Sequence, residues 1–473
     1  MHTPICFDDV VQATGADVLN KGCQLFYGVG TDTRLDLTNK LFLALAGETY
    51  DAHDFLKEAL KKGVKGLLVH RDVPEEIWKG TDISVFRVPD TLKALQDLGH
   101  FWRKKSKALV VGITGSNGKT STKEFARTLL SSDFQVKASP KSFNNHWGVP
   151  LTLLDLDPQE DEVVLVEMGM NHSGELQLLS EVAEPNVVVV TTVGHSHVGH
   201  LGSLEKVAQA KEEIYLSNKN AIAIFNLDNE YCQKMYERSK NQREKIITFS
   251  TYTSGVDVSL RVQSMGLDFI EIVGHIGGVE GQQKLDLFGR QNIVNVMAAS
   301  AIALAVGLPP EKIWKNLGHL KSFWGRGQKL EVPEVGATII FDAYNANPES
   351  MAALIRNIYE LPLRAGGKKV AILGEMLELG EHSARLHEKL GQIVAQSDIE
   401  TVWFMGPHAS DFKRGFDQER QSKNIIISDG YNESLALEVK NMLNKSDVVV
   451  VKGSRGMQLE RVLKAWNCEQ VGL

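Results

Sequence analysis

Four cysteines in 473 residues, Cys6, Cys23, Cys232 and Cys468, are too few and too far apart for a disulfide framework. No Cys-x-x-Cys pair occurs, so no thiolate zinc site is suggested either. Reduced thiols in the cytoplasm are the expected state. Long apolar runs are also missing, and with them any segment able to span a bilayer. The stretch from Met1 to Asp9 lacks a cationic region followed by an apolar one, so no secretory signal is expected. Basic excess is absent too. Fifty-two Lys and Arg against 59 Asp and Glu leave a net charge of -7, which argues against non-specific nucleic-acid binding as the main activity. There is no internal repeat or low-complexity tract, so no segment need be disordered.

What is present is an ordinary globular composition, 43% hydrophobic and 23% charged, in a chain long enough for about three domains. In the first part, Leu41 to Leu45 and Gly66 to Val69 read as strands, and Phe55 to Lys62 as a helix ended by Gly63. An amphipathic helix from Asp90 to Lys107, with Leu92, Leu95, Leu98 and Trp102 at helical spacing, leads into the next unit. There the apolar strands Val163 to Glu167, Val187 to Thr192 and Ala221 to Asn226 alternate with helices, the pattern of a mostly parallel sheet covered on both faces. Asn292 to Val306 reads as a buried helix, and Gly325-Arg326-Gly327 as a hinge. Strands at Thr338 to Asp342, Val370 to Leu373, Thr401 to Met405 and Asp447 to Val451 then build a second open α/β sheet. The expected fold is α/β in three domains, at residues 1–87, 88–328 and 329–473.

The most informative stretch is Leu109 to Thr122. Leu109, Val110, Val111 and Ile113 make a buried strand, and Gly115 and Gly118 let the backbone turn and present its N–H groups to an anion. Thr114, Gly115, Ser116, Asn117, Gly118, Lys119, Thr120 and Ser121 thus form a phosphate cradle. The Lys119 ammonium would face the terminal phosphates, the Thr120 hydroxyl would reach Mg2+, and the helix starting near Ser121 adds its positive end. The common pattern has Gly where this chain has Ile113.

Other candidates sit at strand ends. Glu167 closes an apolar strand at the same sheet edge, where it is either a Mg2+ ligand or a solvated carboxylate. His195, His197 and His200 have nearly the spacing of a His-x-His-x-Asp-His zinc motif, but Gly199 holds the Asp position, which argues against a dinuclear site. One histidine aiding Mg2+ at the phosphates fits better. From its neighbours alone, Lys211 reads as a surface lysine paired with acidic residues. Arg326 is either an arginine finger or a linker charge. Asp342, Tyr344 and Asn347 follow a strand and suit a nucleotide or closure contact, although a turn with an Asn-Pro helix start explains Asn347 equally well.

Taken in order, these stretches resemble the Mur ligases. Thr114 to Thr120 is similar to the family's ATP loop, displaced first glycine included. Asn144-Asn145 with Gly148 to Leu154, Glu167 to Met170, Asp342 to Pro348, Leu373 to His382, and Val451 to Arg455 point to the branch that joins D-alanyl-D-alanine to UDP-N-acetylmuramoyl-tripeptide. No Asp-Asn-Pro-Arg stretch of the diaminopimelate-adding branch occurs. The resemblance implies an ATP-dependent, ADP-forming ligase of peptidoglycan precursor synthesis. It also implies a small N-terminal UDP-binding domain, a central P-loop ATPase domain and a C-terminal Rossmann-like domain. It assigns Lys119, Glu167, His197, Lys211 and Arg326 to catalysis. Thr120, Glu167, His197 and a carbamylated Lys211 would hold Mg2+. Asn292, Asn295, Arg326, Asp342, Tyr344 and Asn347 join the loop at ATP. Thr33, Arg34, Asn144 and Asn145 would receive the UDP substrate, together with the stretch from Leu41 to Glu48. A monomer that binds no nucleic acid is expected. Two departures touch substrate contacts: His146-Trp147 where relatives usually carry Glu-Ile, and Phe341 where many have Asp.

Rival readings are another Mur-type or folylpolyglutamate-type ligase and, more remotely, a P-loop GTPase. The last rests on Asn444-Lys445-Ser446-Asp447, a literal match to a guanine-reading motif that here precedes a strand when it should follow one.

Overall fold

The computed structural model describes residues 3–47, 49–140, 142–363, 365–419 and 423–468. Glu48, at the end of the stretch from Leu41, lies outside them. Among the described residues the large sheets number three. The first orders Asp17–Asn20, Ser84–Arg87, Gly66–Val69, Leu41–Leu43 and Val29–Gly30, parallel except for its first strand. The third orders Gln328–Glu331, Thr338–Phe341, Val448–Lys452, Lys369–Gly374, Thr401–Met405 and Asn424–Ser428, again parallel except at the Gln328–Glu331 edge.

Between them lies a nine-stranded sheet with Leu109–Thr114 between Val187–Val190 and Val163–Glu167. These strands read as unbroken Val and Ile runs because both of their faces are buried. On one face Val110, Val164 and Val188 pack against Trp102, Val149 and Ile214. On the other, Val111, Val163 and Val189 meet Phe125 and Val296 of the helices Lys119–Leu130 and Asn292–Val306. The helix Thr91–Lys105, capped by the Asp90 side chain, puts Leu95 and Leu98 into a cluster that also holds Phe26 and Phe86 of the first domain. It thereby joins the first sheet to the second.

Several local expectations shift. The strand expected to reach Thr192 stops at Val190, because the Thr191 and Thr192 hydroxyls turn onto the phosphate loop. The helix expected from Phe55 begins as a 3-10 turn, Ala52–Phe55, capped by Asp51, and continues as Leu56–Lys61. Three further strands, Val258–Met265, Ile270–Ile276 and Val279–Leu285, extend the central sheet antiparallel to one another. Their alternating patterns and the Gly277-Gly278 turn were the available signal for a hairpin.

Candidate active site

The phosphate loop opens at the carboxyl ends of the central strands, where parallel α/β sheets place their ligands. Ile113 is fully buried in the strand, so the turn that other loops make at that position is made by Gly115, at φ +148. A Cβ there would lie 2.0 Å from the Thr191 hydroxyl. Gly118, at φ +84, ends the loop, and a Cβ on it would lie 2.1 Å from Asn295 Oδ1. The backbone between them is fastened to the neighbouring strand end. Ser116 N donates to Thr192 O at 2.8 Å, Asn117 N donates to the Thr192 hydroxyl at 3.2 Å, and Ser116 Oγ donates to Gly194 O at 3.0 Å. Thr114 is buried, and its hydroxyl has no partner among the described residues. Ser121 is buried in the first helical turn.

Lys119 curls back so that Nζ donates to Gly115 O at 2.7 Å. Burial pulls its pKa down, Glu167 and Glu378 oppose that shift, and Arg326 adds to it. Thr120 Oγ1 donates to one Glu167 oxygen and Asn144 Nδ2 to the other, each at 2.9 Å. Glu167 is therefore no solvated strand end: it is 1% exposed and aimed at the loop. Asn145 is used locally, its Oδ1 accepting from Gly148 N at 2.9 Å. Asn292 and Asn295 are linked at 3.1 Å, and Asn295 abuts Gly118.

The C-terminal domain supplies the opposite wall. Asn347 Nδ2 donates to Asn117 Oδ1 at 2.6 Å and to Ser196 Oγ at 2.7 Å, while its Oδ1 caps the helix Pro348–Glu360. Cap and loop contact are one residue. Tyr344 meets Ser142 through its hydroxyl and carries the Arg326 guanidinium 4.3 Å above its ring. Arg326 Nη2 is 3.5 Å from the Thr120 hydroxyl, and its Nε is buried without a partner among the described residues. A linker charge would do neither. Asp342 does not reach the loop directly; it pairs with Lys452 at 2.7 Å.

A model of the Mur ligase middle domain matches residues 113–303, and one of the Mur ligase glutamate ligase domain matches residues 325–455. A UDP-N-acetylmuramoyl-tripeptide--D-alanyl-D-alanine ligase of Bacillus subtilis (strain 168) is 35% identical over 447 residues, 93% of each chain. The chain belongs to the Mur ligase family. A crystal structure of MurF from Acinetobacter baumannii superposes with a TM-score of 0.87 at 27% identity, over 98% of this chain and 99% of that one. MurF ligase from Thermotoga maritima in complex with ADP gives 0.78 at 27% identity, over 93% and 96%.

In this Mur ligase, Lys211 is not the surface lysine its acidic neighbours suggest. It is 1% exposed and has no ion-pair partner among the described residues. Burial drives its pKa well below the ordinary lysine value, and Lys119 adds to the drop. Glu212, the acidic neighbour, pairs with Arg238 instead. His197 stands 2.8 Å from Glu378 of the C-terminal domain, and burial lowers its pKa despite that carboxylate. His195 meets Glu349 in the same manner, while His200 is exposed, its ring 5.8 Å from that of His172. Reading from the sequence missed Glu378, Glu349, Ser196 and Lys452. Glu378 and Lys452 lie in stretches that carry the family resemblance, but spacing along the chain says nothing of what they face. The guanine-reading match is a turn: Asp447 accepts from the Asn444 and Lys368 N–H groups at 2.8 Å, and Asn444 accepts from Ser446 N. Those side chains are spent before the strand Val448–Lys452 begins. On the UDP side, Thr33 is buried, whereas Arg34 is exposed and folds back onto Asp32.

Proposed function

We propose that this Mur ligase joins D-alanyl-D-alanine to UDP-N-acetylmuramoyl-tripeptide with cleavage of ATP to ADP and phosphate, in the cytoplasmic synthesis of peptidoglycan precursors. The near full-length likeness to ligases of that name supports the substrates. The observation that carries the chemistry is the pair of hydrogen bonds that Asn347 Nδ2 donates to Asn117 and Ser196, which sets the C-terminal wall against the phosphate loop.

A carboxylate oxygen is a poor leaving group, so the amide cannot form directly. In this reading the peptide carboxylate attacks the γ-phosphorus, the bond to the ADP oxygen breaks, and an acyl phosphate results. Lys119 and Arg326 offset the charge on the transferring group. The dipeptide amine then attacks the acyl carbon, and phosphate departs with its electron pair. Closure of the two walls keeps water from the acyl phosphate.

The residues fit a Mg2+ site. Glu167 and Thr120 offer hard oxygen donors in contact with each other, and burial drives the Lys211 pKa well down, which favours the neutral amine, the form that adds CO2 to give a carbamate and a proton. Thr120, Glu167, His197 and the Lys211 carbamate would hold the ion, which supplies charge neutralisation at the phosphoryl oxygens when bound. Thr33, Arg34, Asn144 and Asn145 would take the UDP substrate. Residues 1–87, 88–328 and 329–473 are the domains this reading uses, and the strand Gln328–Glu331, paired into the third sheet, supports the last break.

Phosphate release from ATP in the presence of UDP-N-acetylmuramoyl-tripeptide tests the proposal. It should require D-alanyl-D-alanine; release supported by a single amino acid in its place would replace the assignment with another Mur-type ligase.

A further inference from the structure

Two strained residues from different domains meet in the cleft. His197 sits at φ +66 and Glu378 at φ +63, left-handed backbone that non-glycine residues seldom adopt and that persists only where the surroundings hold it. Their side chains meet at 2.8 Å, His197 Nδ1 to Glu378 Oε2. Beneath this pair the two backbones touch. Gly199 N donates to Glu378 O at 3.3 Å, a Cβ on Gly199 would lie 2.7 Å from that oxygen, and one on Gly380 would lie 3.0 Å from Gly199 Cα. Leu377 N donates to Ser454 Oγ at 2.9 Å, which ties the Glu378 segment to the end of the strand Val448–Lys452. The contact is thus built from both sides, and only glycine fits at its backbone crossing.

We propose that Glu378 is a positioning residue for the metal site: its carboxylate, 2.8 Å from a buried His197 Nδ1 that has no hydrogen-bond partner among the described residues, favours the tautomer that carries its proton on Nδ1 and so leaves Nε2 free for Mg2+, and the C-terminal domain completes a site held otherwise by the central domain. The proposal rests on His197 being a ligand, as the proposed function has it. An imidazole that gives one N–H to a carboxylate has its tautomer and ring orientation set and its other nitrogen made more basic. Among metalloproteins the loss of such an outer partner weakens the metal by roughly 10- to 100-fold. Here the partner arrives from another domain, so affinity for the ion and engagement of the C-terminal wall rise together, and each favours the other by the same factor.

Mn2+ binding to the full chain, followed by electron paramagnetic resonance with a non-hydrolysable ATP analogue present, reads this without turnover. Glu378→Ala should weaken Mn2+ by about 10-fold or more. Glu378→Gln keeps an acceptor and should recover part of the loss. Glu349→Gln, which loosens the neighbouring contact to His195, should leave Mn2+ affinity within about twofold. Two results would overturn the inference: Glu378→Ala binding Mn2+ like the unmodified chain while His197→Ala does not, or Glu349→Gln losing as much as Glu378→Ala. If His197→Ala also binds Mn2+ normally, the ligand role of His197 in the proposed function falls with it.

Discussion

The phosphate loop and the N-terminal segment around Arg34 are built on opposite terms. Every residue from Thr114 to Thr120 is buried or partly buried, and Ser116, Asn117, Lys119 and Thr120 are held by named partners from the neighbouring strand ends or the loop itself. Arg34, whose side chain is 86% exposed, forms its ion pair among the described residues with Asp32, two residues away. Such a surface pair contributes little to stability and exchanges readily for another partner. In the proposed function the chemistry therefore has a preorganised frame, and recognition of the long substrate would be left to side chains that can adapt. Where the first domain meets the helix that follows it, rigidity has a different purpose. His53 Nδ1 faces Asp51, His53 Nε2 accepts from His70 N at 3.1 Å, and His70 Nδ1 faces the Thr91 hydroxyl at 3.1 Å. With three of the four ring nitrogens committed, this His and Asp cluster is a clasp between the strand Gly66–Val69 and the helix Thr91–Lys105.

The contrast can be broken most sharply at Lys119. Lys119→Ala should lower kcat/KM by about 1000-fold, the order found when a preorganised charge partner is removed. A loss under tenfold in steady-state phosphate release would mean the frame is not where the chemistry resides. Lys211→Ala should cost on the order of 100-fold, by analogy with removal of a metal-site partner. Added acetate or formate should restore part of it, whereas full activity would return Lys211 to a structural role. For Gly118→Ala, whose Cβ would collide with Asn295 and must hold φ +84, the KM for ATP should rise roughly tenfold, since such strain costs about 1–3 kcal/mol. Arg34→Ala should act on the other side, raising the KM for the UDP substrate a few-fold, with the KM for ATP unchanged. An effect on ATP would mean the two regions are coupled. The smallest expected change concerns the clasp. His70 has its pKa lowered by burial and by His53, so the unfolded chain takes up a proton first as pH falls below about 6.5, and stability declines from there downward. Protection of the Gly66–Val69 amides against hydrogen exchange, taken relative to the intrinsic rate at each pH, should fall as pH drops from 7 to 5, and His70→Asn should flatten that response.

Legibility in the sequence followed locality. The loop, its strand and helix, and the buried helix Asn292–Val306 were readable because each is specified by residues within a few positions of one another. The hairpin strands were missed although Val258–Met265 alternates, since polar residues such as Arg261 and Gln263 dilute its apolar content. Lys211 misled because a helix rich in charge resembles a solvated face; its burial depends on where the helix Leu204–Leu216 packs, which no local pattern states. The Glu378 contact spans two domains and about 180 residues, so only the folded chain brings it together. For Lys211, His197 and Arg326, family resemblance suggested roles that periodicity could not.

The most direct test offers the chain ATP, Mg2+ and UDP-N-acetylmuramoyl-tripeptide with an equimolar mixture of D-alanyl-D-alanine, D-alanine, L-lysine and diaminopimelate, and reads the product by mass spectrometry. A single product, heavier by one D-alanyl-D-alanine less water and matched one to one by ADP, is the expected result. A product carrying a single amino acid, or ADP formed without any peptide product, would contradict it.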